Sequence, residues 1–232
     1  ATMKYLNKAG PAILGGFHAP PRLDERKLAD LLASQAIVVD TRSSGEYAAE
    51  HLPGTLNIPL NRSFITWAGW LLPYSADLYF IVDELSEANT VELVRQLALI
   101  GLDRVAGVFE ARAVQRAAER GAALGTVRQI TAGELSARLT ARDVTIVDVR
   151  GATEWRDGHI ANALHIPLGY LADRLDDVPT DRMVVLHCQT GARSAIAASM
   201  LRRAGRTDVA NLAGGMAWWQ GAGLPVARPA VA

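Results

Sequence analysis

A long segment of this chain occurs twice. Residues 40–60 align without a gap with residues 148–168, at an offset of 108 positions, and eight of the 21 aligned positions are identical. The identical pairs are Asp40/Asp148, Arg42/Arg150, Glu46/Glu154, His51/His159, Leu56/Leu164, Ile58/Ile166, Pro59/Pro167 and Leu60/Leu168. Self-similarity at a fixed period indicates a duplicated structural unit. The 232 residues are therefore predicted to form two similar domains in tandem.

Each copy alternates short apolar runs with helical patterns. In the second copy we predict strands at Val144–Asp148, Met183–His187 and Val209–Leu212. The predicted helices there are Glu134–Leu139 behind a Thr131–Glu134 capping box, Leu168–Asp176, Arg193–Arg203 and Met216–Gln220. In the first copy we predict strands at Ala36–Asp40, Leu78–Val82 and Val105–Phe109, and helices at Glu25–Ala33, Thr90–Ile100 and Ala111–Arg120. This alternation is typical of α/β domains, each with a mostly parallel sheet flanked by helices, and residues 121–128 are the predicted linker.

The composition is that of an ordinary globular protein. Hydrophobic residues make up 50% and charged residues 21%, and 24 Lys+Arg balance 24 Asp+Glu. This balance provides no overall basic field for nucleic acid or an anionic membrane. No apolar run approaches the ~20 residues that span a bilayer, and residues 1–8 lack a signal peptide's apolar core. We therefore expect a cytoplasmic protein, a location that suits a free thiol.

The single cysteine lies in a loop suited to chemistry. Cys188 follows a predicted strand and precedes a predicted helix, where helix-end amides and the helix dipole favour an anionic thiolate. Lone cysteines are more often buried apolar residues, but this loop also has Gly191 for a tight turn and the cation of Arg193. Carboxyl ends of parallel strands are where such folds place reactive sites. Cys188 is thus the predicted catalytic residue, with Thr190 and Ser194 providing hydroxyls at the rim.

The first copy provides an internal comparison for this loop. With the later segments aligned at an offset of 104, Glu84 stands opposite Cys188, Glu87 opposite Gly191 and Asn89 opposite Arg193. The first copy would then lack the thiol, the glycine and the arginine together. An acidic side chain in the loop would also repel an anionic substrate. We therefore expect the first domain to be catalytically inactive.

The remaining repeated polar residues are interpreted as structural. Asp148, Arg150 and Glu154 are predicted to form a buried ion-pair network. His159 recurs as His51 in the first copy, which favours packing over proton transfer. His187 precedes Cys188 directly, but neighbouring strand residues point to opposite faces, so a catalytic role is not favoured. Among the tryptophans, Trp218 and Trp219 are expected in the core or at the rim, and Trp67 and Trp70 at a domain interface or reaching toward the other domain's site.

With these residues in view, the chain resembles the rhodanese family in tandem arrangement, over roughly residues 23–120 and 129–226. The motifs that carry the resemblance are Asp148–Arg150, Trp155–Ala163, the loop Cys188–Ser194 and Leu212–Trp218. The resemblance implies a sulfurtransferase in which Cys188 takes a sulfane sulfur from thiosulfate or a glutathione-type persulfide and passes it to cyanide, sulfite or a thiol. It implies a substrate- and persulfide-binding loop made of Gln189, Thr190, Gly191, Ala192, Arg193 and Ser194. No metal and no organic cofactor are implied.

Two roles are open for Arg193. It orients the anionic end of the donor, or it braces the loop by donating hydrogen bonds to carbonyl groups.

The resemblance also suggests a domain plan: a connector at residues 1–21, an inactive rhodanese-like domain at 22–121 and a catalytic rhodanese domain at 122–232. The connector is similar to the segment that precedes tandem rhodanese modules in fusions with a metallo-β-lactamase-like persulfide dioxygenase. Such a domain or protein is therefore an expected partner, besides the small-molecule donor and acceptor. The five histidines contain no metal cluster of that domain, so the chain is either an excised fragment or a stand-alone relative.

Two rival functions belong to other classes. Cysteine phosphatases and arsenate reductases also combine a cysteine, a backbone cradle and an arginine. Their loop is one residue longer than the four residues that separate Cys188 from Arg193 here, and a phosphatase would need an aspartate acid that is not marked. The other rival is a non-catalytic sulfur-binding or regulatory module, a role that the degenerate first copy already suggests for its own half.

Overall fold

The computed structural model describes residues 16–228 and divides them into two compact units. The first unit contains the described residues up to Arg42 together with Ile58–Ala122, and the second contains Ser43–Asn57 together with the described residues from Ala123 onward. A segment of the first sequence copy therefore packs within the second unit. The domain limits proposed from the repeat remain predictions, and most of the predicted connector, residues 1–15, lies outside the described residues.

The first unit is built on parallel strands. Strand β1 (Ile37–Asp40) pairs with β3 (Leu78–Val82), which pairs with β4 (Val105–Glu110), in each case in parallel. The helices of this unit are α1 (Lys27–Ala33), α3 (Phe64–Leu71), α4 (Glu87–Leu99) and α5 (Ala113–Glu119). This arrangement confirms an α/β architecture for the first copy.

The second unit has a five-stranded parallel sheet in the order β5-β9-β8-β6-β7. Its strands are β5 (Arg128–Ile130), β6 (Val144–Asp148), β7 (Leu164–His165), β8 (Met183–His187) and β9 (Val209–Leu212). Its helices are α6 (Ala132–Ala141), α7 (Ala152–Asp157), α8 (Ala192–Arg203) and α9 (Gly215–Gly221). Every residue of β8 is buried, as a central strand covered on both faces requires. The last residue of β8 directly precedes Cys188.

The segment Ser43–Asn57 contributes helix α2 (Ser44–Ala49) and strand β2 (Leu56–Asn57) to the second unit. The amide of Asn57 donates a hydrogen bond of 3.0 Å to the buried hydroxyl of Ser199 on α8. Arg203 at the end of α8 donates to the carbonyl of Gly54 at 2.7 Å. The backbones of His51 and Gly125 exchange hydrogen bonds of 3.0 and 2.8 Å. The segment therefore covers α8, the helix that follows the cysteine loop.

Most predicted elements are confirmed within a few residues, and four strands (Leu78–Val82, Val144–Asp148, Met183–His187 and Val209–Leu212) have the predicted bounds. The predicted helix at Leu168–Asp176 is wrong. Two 3₁₀ turns, Leu168–Tyr170 and Ala172–Asp177, occupy this stretch, and Arg174 has a non-helical φ of −127°. Short helices α2 and α7 were not predicted.

Within residues 16–228, no helix is both long enough and apolar enough to cross a bilayer.

Candidate active site

The cysteine loop is a four-residue connection, Cys188–Gly191, between the end of β8 and the start of α8. Gly191 is the N-cap of α8 and has a φ of +96°, in the left-handed region that favours glycine. A Cβ at this position would lie 3.4 Å from both the Gly214 amide nitrogen and the Leu212 carbonyl oxygen. The turn therefore depends on glycine for its backbone angle, and a side chain at this position would contact the neighbouring segment.

Cys188 is 1% exposed and is a free thiol. Its Sγ accepts a hydrogen bond from the Gly191 amide at 3.2 Å, and the hydroxyl of Ser194 donates to the same sulfur at 3.5 Å. Both donors belong to the first turn of α8 or to its cap, where the helix dipole is positive. Such donors stabilise negative charge on the sulfur.

The N-terminus of α9 holds the cysteine loop through backbone hydrogen bonds. The amides of Met216 and Ala217 donate to the carbonyls of Cys188 and Gln189, at 2.8 and 3.0 Å. Gly215 lies so close that a Cβ there would be 2.4 Å from the Cys188 carbonyl oxygen. The glycine pair Gly214-Gly215, noted in the sequence as part of the family resemblance, thus fixes the backbone of the loop.

The other predicted loop residues are brought together as expected, with one difference. Thr190 and Ala192 are exposed and Gln189 is half-buried, so these three lie at the mouth of the loop. Ser194 was predicted at the rim as well, but its side chain is fully buried and also donates to the Gly191 carbonyl at 3.2 Å. Its hydroxyl therefore lies inside the fold, where it donates to the Cys188 sulfur, and not at the rim of the loop.

Arg193 pairs with Glu154, a contact that the sequence interpretation missed. Its two terminal nitrogens donate to the two carboxylate oxygens at 2.7 and 2.6 Å. The hydrogen bonds that Arg193 donates to Glu154 are the main cause that raises the pKa of its guanidinium above the usual value, and the nearby Cys188 raises this pKa to a smaller extent. The same contact with Arg193 is the main cause that lowers the pKa of Glu154. The side chain of Arg193 is thus held in place by the Glu154 carboxylate on α7.

The predicted buried ion-pair network is confirmed for two of its three members. Arg150 pairs with Asp148 at 2.6 Å with both side chains nearly inaccessible, and it also donates to the Gly158 carbonyl at 2.7 Å. The prediction was wrong for Glu154, whose side chain is 36% exposed and contacts Arg193.

His187 lies 3.4 Å from Asp148, and neither of its ring nitrogens makes a hydrogen bond among the described residues. Burial lowers the pKa of His187 to about 4, so its ring is neutral at pH 7.

The repeated histidines pack in the same way in both copies. His159 stacks on Trp155 with ring centroids 3.7 Å apart and contacts its carbonyl through Nδ1 at 3.1 Å. His51 stacks on Tyr47 with ring centroids 4.0 Å apart, and its Nδ1 contacts the Tyr47 carbonyl oxygen at 2.8 Å. The expected packing role is therefore confirmed.

The tryptophans divide between core and surface. Trp219 is buried and donates to the Pro225 carbonyl at 2.8 Å, whereas Trp218 is 62% exposed and its ring packs over Gly214. Trp67 and Trp70 lie on α3, where Trp70 is 58% exposed. An interface role for these two remains a prediction.

Strand register corrects the comparison between the two copies. Asp40 pairs with Ile81, and its counterpart Asp148 pairs with His187, so the buried Val82 stands where Cys188 stands. Glu84 was therefore wrongly aligned with Cys188 and lies further along a loop that is one residue longer. The first copy still has no thiol at this position.

A cavity of about 670 Å³ lies beside the corresponding loop of the first unit, with Asp83, Glu84 and Glu92 among its lining residues. These carboxylates outnumber Arg62 in the same lining, and net negative charge disfavours an anionic sulfur donor. The inactivity of the first copy remains a prediction.

Comparison with known proteins places the second copy in a described family. The model of the "Rhodanese-like domain" matches residues 131–222. A protein named "Sulfurtransferase" from Allochromatium vinosum is 39% identical over 104 residues, which cover 44% of this chain and 97% of that protein. The "Thiosulfate sulfurtransferase GlpE" of Coxiella burnetii is 33% identical over 79 residues, which cover 34% of this chain and 74% of that protein. A crystal structure of a rhodanese-related protein from Thermoplasma volcanium aligns with 31% identity and a TM-score of 0.41, over 43% of this chain and 97% of that one.

Proposed function

This chain belongs to the rhodanese family, and from that premise we propose that it is a sulfurtransferase in which Cys188 carries the transferred sulfur as a persulfide. The observation that carries the proposal is the sulfur's position. It lies at the end of a buried central strand and accepts hydrogen bonds from the Gly191 amide and the Ser194 hydroxyl at the start of α8. A thiolate with such donors is both stabilised and held for attack.

The transfer takes two displacement steps. With thiosulfate as donor, the Cys188 thiolate attacks the sulfane sulfur, a new S–S bond forms, and the old S–S bond breaks with its electron pair leaving on sulfite. With a persulfide as donor, the electron pair leaves on the donor's thiolate. In the second step cyanide, sulfite or a thiol attacks the outer sulfur of the Cys188 persulfide, and the electron pair returns to the Cys188 sulfur as thiolate. Splitting one transfer into two steps is the general advantage of a covalent intermediate.

In the proposed mechanism each part of the loop has a role in these steps. Amide and hydroxyl donors near Sγ stabilise the negative charge that returns to the cysteine when the acceptor departs with sulfur. The carbonyls of Cys188 and Gln189 are bound by α9, which keeps the loop fixed while charge shifts between two sulfur atoms. The cation of Arg193 lies near the thiol and attracts an anionic donor. No step requires a metal or an organic cofactor.

The four-residue spacing between Cys188 and Arg193 favours sulfur transfer over phosphate hydrolysis. The phosphatase-type loop has one more residue to surround a tetrahedral phosphate, whereas a persulfide adds a single atom beyond Sγ. A phosphatase assignment would be supported instead by release of phosphate from an aryl phosphate with no sulfur bound to the protein.

The direct test is transfer of sulfur to the protein. Because Cys188 is the single cysteine, any protein-bound sulfane sulfur has one possible carrier. Incubation with thiosulfate or an alkyl persulfide should add the mass of one sulfur atom, and cyanide should remove it as thiocyanate. The Cys188→Ser variant should show neither event. Full transfer activity in that variant would refute the proposal, and a wild-type protein that never gains sulfur would support a non-catalytic module.

A further inference from the structure

We propose that Glu154 sets the charge selectivity of the Cys188 site, by holding Arg193 in an ion pair that disfavours doubly charged sulfur donors. This inference rests on the proposed sulfurtransferase function and concerns which donors the same site accepts. Glu154 acts through Arg193 and is therefore a positioning residue, whereas Cys188 remains the residue that reacts.

The geometry of the pair is specific. Both terminal nitrogens of Arg193 donate to Glu154, one to each carboxylate oxygen, at 2.7 and 2.6 Å. This two-point contact fixes the plane of the guanidinium. The side chains are 25% and 36% exposed, so water weakens the pair without separating it. Arg193 therefore presents its remaining N–H groups from one defined orientation.

The carboxylate of Glu154 is itself held at the start of α7. One of its oxygens accepts from the Gly151 amide at 3.1 Å, as the third-residue partner of a helix cap does. Glu154 is thus attached to the backbone on one side and to Arg193 on the other. A carboxylate fixed in this way contributes a permanent negative charge next to the cation of the loop.

The first copy shows the same carboxylate with a different second partner. Glu46 accepts from the Ser43 amide at 3.1 Å and from the Ser43 hydroxyl at 2.5 Å, which completes a capping box. In the second copy Gly151 stands at this cap and offers no hydroxyl. In the first copy the serine hydroxyl thus bonds one oxygen of the repeated carboxylate, whereas in the second copy Arg193 bonds both oxygens of Glu154.

This pairing changes what the site offers to an anion. An unpaired arginine would favour a doubly charged donor such as thiosulfate strongly. Here a carboxylate lies within hydrogen-bond distance of the same guanidinium, so an approaching dianion is attracted by one group and repelled by the other. A donor with fewer charges, such as a persulfide of an uncharged thiol, experiences less of this repulsion. The site is therefore selective by charge, and Glu154 is the residue that makes it so.

Two substitutions weaken the pair in different ways. Glu154→Gln removes the negative charge but keeps the size of the side chain. Gly151→Ser keeps the charge and adds the missing hydroxyl, which should draw the carboxylate toward the cap as Ser43 does. Gly151 has a φ of −68°, and a Cβ there would lie 3.6 Å from the Glu154 carboxylate, an ordinary contact. Glu46→Gln, at the repeated position, is the matched control.

The experiment compares two donors, thiosulfate and 2-hydroxyethyl persulfide, by following the sulfur loaded on Cys188 and the turnover to a common acceptor. We expect Glu154→Gln to raise the ratio of kcat/KM for thiosulfate over that for the persulfide by about two- to fivefold, the size expected for a partly exposed ion pair. The change should appear in KM for thiosulfate and should decrease at high salt. Gly151→Ser should shift the ratio in the same direction by a smaller factor, and Glu46→Gln should leave it unchanged.

The outcomes separate the two proposals. A wild-type protein that acquires sulfur from neither donor overturns the proposed function and this inference with it. If Cys188 is loaded normally but the donor ratio is the same in wild type, Glu154→Gln and Gly151→Ser, the inference alone is overturned. A similar loss for both donors in Glu154→Gln, matched by Glu46→Gln, would show a structural role in helix capping and would also overturn it.

Discussion

Gly215 is the residue on which the shape of the cysteine loop depends most directly. It has a φ of +55°, and a Cβ there would lie 2.4 Å from the Cys188 carbonyl oxygen and 2.9 Å from the Gln189 carbonyl carbon. Both atoms are backbone, so neither can rotate away as a flexible side chain would. The hydrogen bonds from α9 to these carbonyls can form because position 215 has no side chain.

We therefore expect Gly215→Ala to destabilise the second unit by roughly 2–4 kcal/mol, from the left-handed backbone and from overpacking. Sulfur loading should be lost in the fraction that still folds, because Cys188 would be displaced. Gly221→Ala is the control within the same helix, since nothing lies within 4 Å of its Cβ, and it should change stability by less than about 1 kcal/mol. Denaturant unfolding and mass spectrometry measure the two effects. Equal stabilities of the two variants would contradict the prediction.

His187 is predicted to make the stability of the protein dependent on pH. Burial lowers its pKa from 6.5 to about 4, so the unfolded chain binds this proton more readily than the folded protein does. Its contribution to stability is complete above pH 6.5 and is lost as the pH falls toward 4, by on the order of 3 kcal/mol in total. The ring then has no further effect below pH 4.

Unfolding free energies measured between pH 7 and 4 should therefore decrease less steeply in His187→Leu than in wild type. The carboxylates titrate in both proteins, so the difference between the two curves isolates the histidine. Parallel curves over this range would show that His187 takes up no additional proton on unfolding.

The sequence predicted Cys188 and its loop because their signals are local: a strand, a glycine turn and a helix within a few residues. It did not predict the partner of Arg193, because Glu154 lies 39 residues away in the chain. The repeat contained an available signal. Ser43 and Glu46 form a cap pattern that becomes Gly151 and Glu154 in the second copy, leaving a carboxylate without its serine.

Among the helices, α6 shows how far a local pattern determines an element. The predicted Thr131–Glu134 capping box is present, with the Glu134 amide donating to the Thr131 hydroxyl at 3.2 Å and the Thr131 amide donating to the Glu134 carboxylate at 2.7 Å. These contacts satisfy amides that the first helical turn leaves unpaired. The helix begins at Ala132, directly after the Thr131 cap and two residues before the predicted start at Glu134.

Thr131→Ala should therefore reduce the unfolding free energy of the second unit by about 1 kcal/mol, the usual contribution of a threonine cap. Thr140→Ala in the same helix is the control. Its exposed hydroxyl bonds to the Ser136 carbonyl within the helix, and alanine there should be neutral or slightly stabilising. Chemical denaturation of both variants measures the difference. A Thr140→Ala protein as unstable as Thr131→Ala would argue against the cap as the cause.

Strands were predicted better than short helices because a buried parallel strand is a continuous apolar run, which can be recognised in the sequence without knowledge of its neighbours. The stretch Leu168–Asp177 was misjudged because its apolar spacing resembles a helix. The chain instead forms two 3₁₀ turns that meet at Leu171, and Arg174 within the second turn has non-helical backbone angles. Helices α2 and α7 have six residues each, too few to show a helical period. A Ser-x-x-Glu pattern at Ser43–Glu46 was a signal for α2.

At the scale of the whole molecule, the repeat and the compact units do not coincide. The repeat is a property of sequence ancestry and groups residues 43–57 with the first copy. Packing groups the same residues with the second unit, where α2 and β2 contact α8. Comparison of the two copies could not predict this packing, because the contacts join positions more than 70 residues apart in the chain. Examples are the contacts of His51 with Gly125 and of Asn57 with Ser199.

A fragment of residues 122–232, the catalytic domain proposed from the sequence, should therefore be less stable than the second unit within the full chain. It would lack Tyr47, Leu52 and Leu56, each less than 10% exposed and each contributing roughly 2 kcal/mol if buried in the same way on folding. The fragment would also lose the hydrogen bond from Asn57 to Ser199 and the one from Arg203 to Gly54. Helix α8 would then present an uncovered face beside the cysteine loop.

Hydrogen exchange provides the measurement, because it reports on α8 separately from the rest of the chain. We expect amides of Ala192–Arg203 to exchange faster in the fragment than in the full chain, and sulfur loading on Cys188 to fall with them. A fragment that also includes residues 43–57, joined through a flexible linker, should recover much of the protection because it restores the missing hydrogen bonds and apolar contacts. Equal protection of α8 in the short fragment and in the full chain would mean that the segment covers the helix without stabilising it.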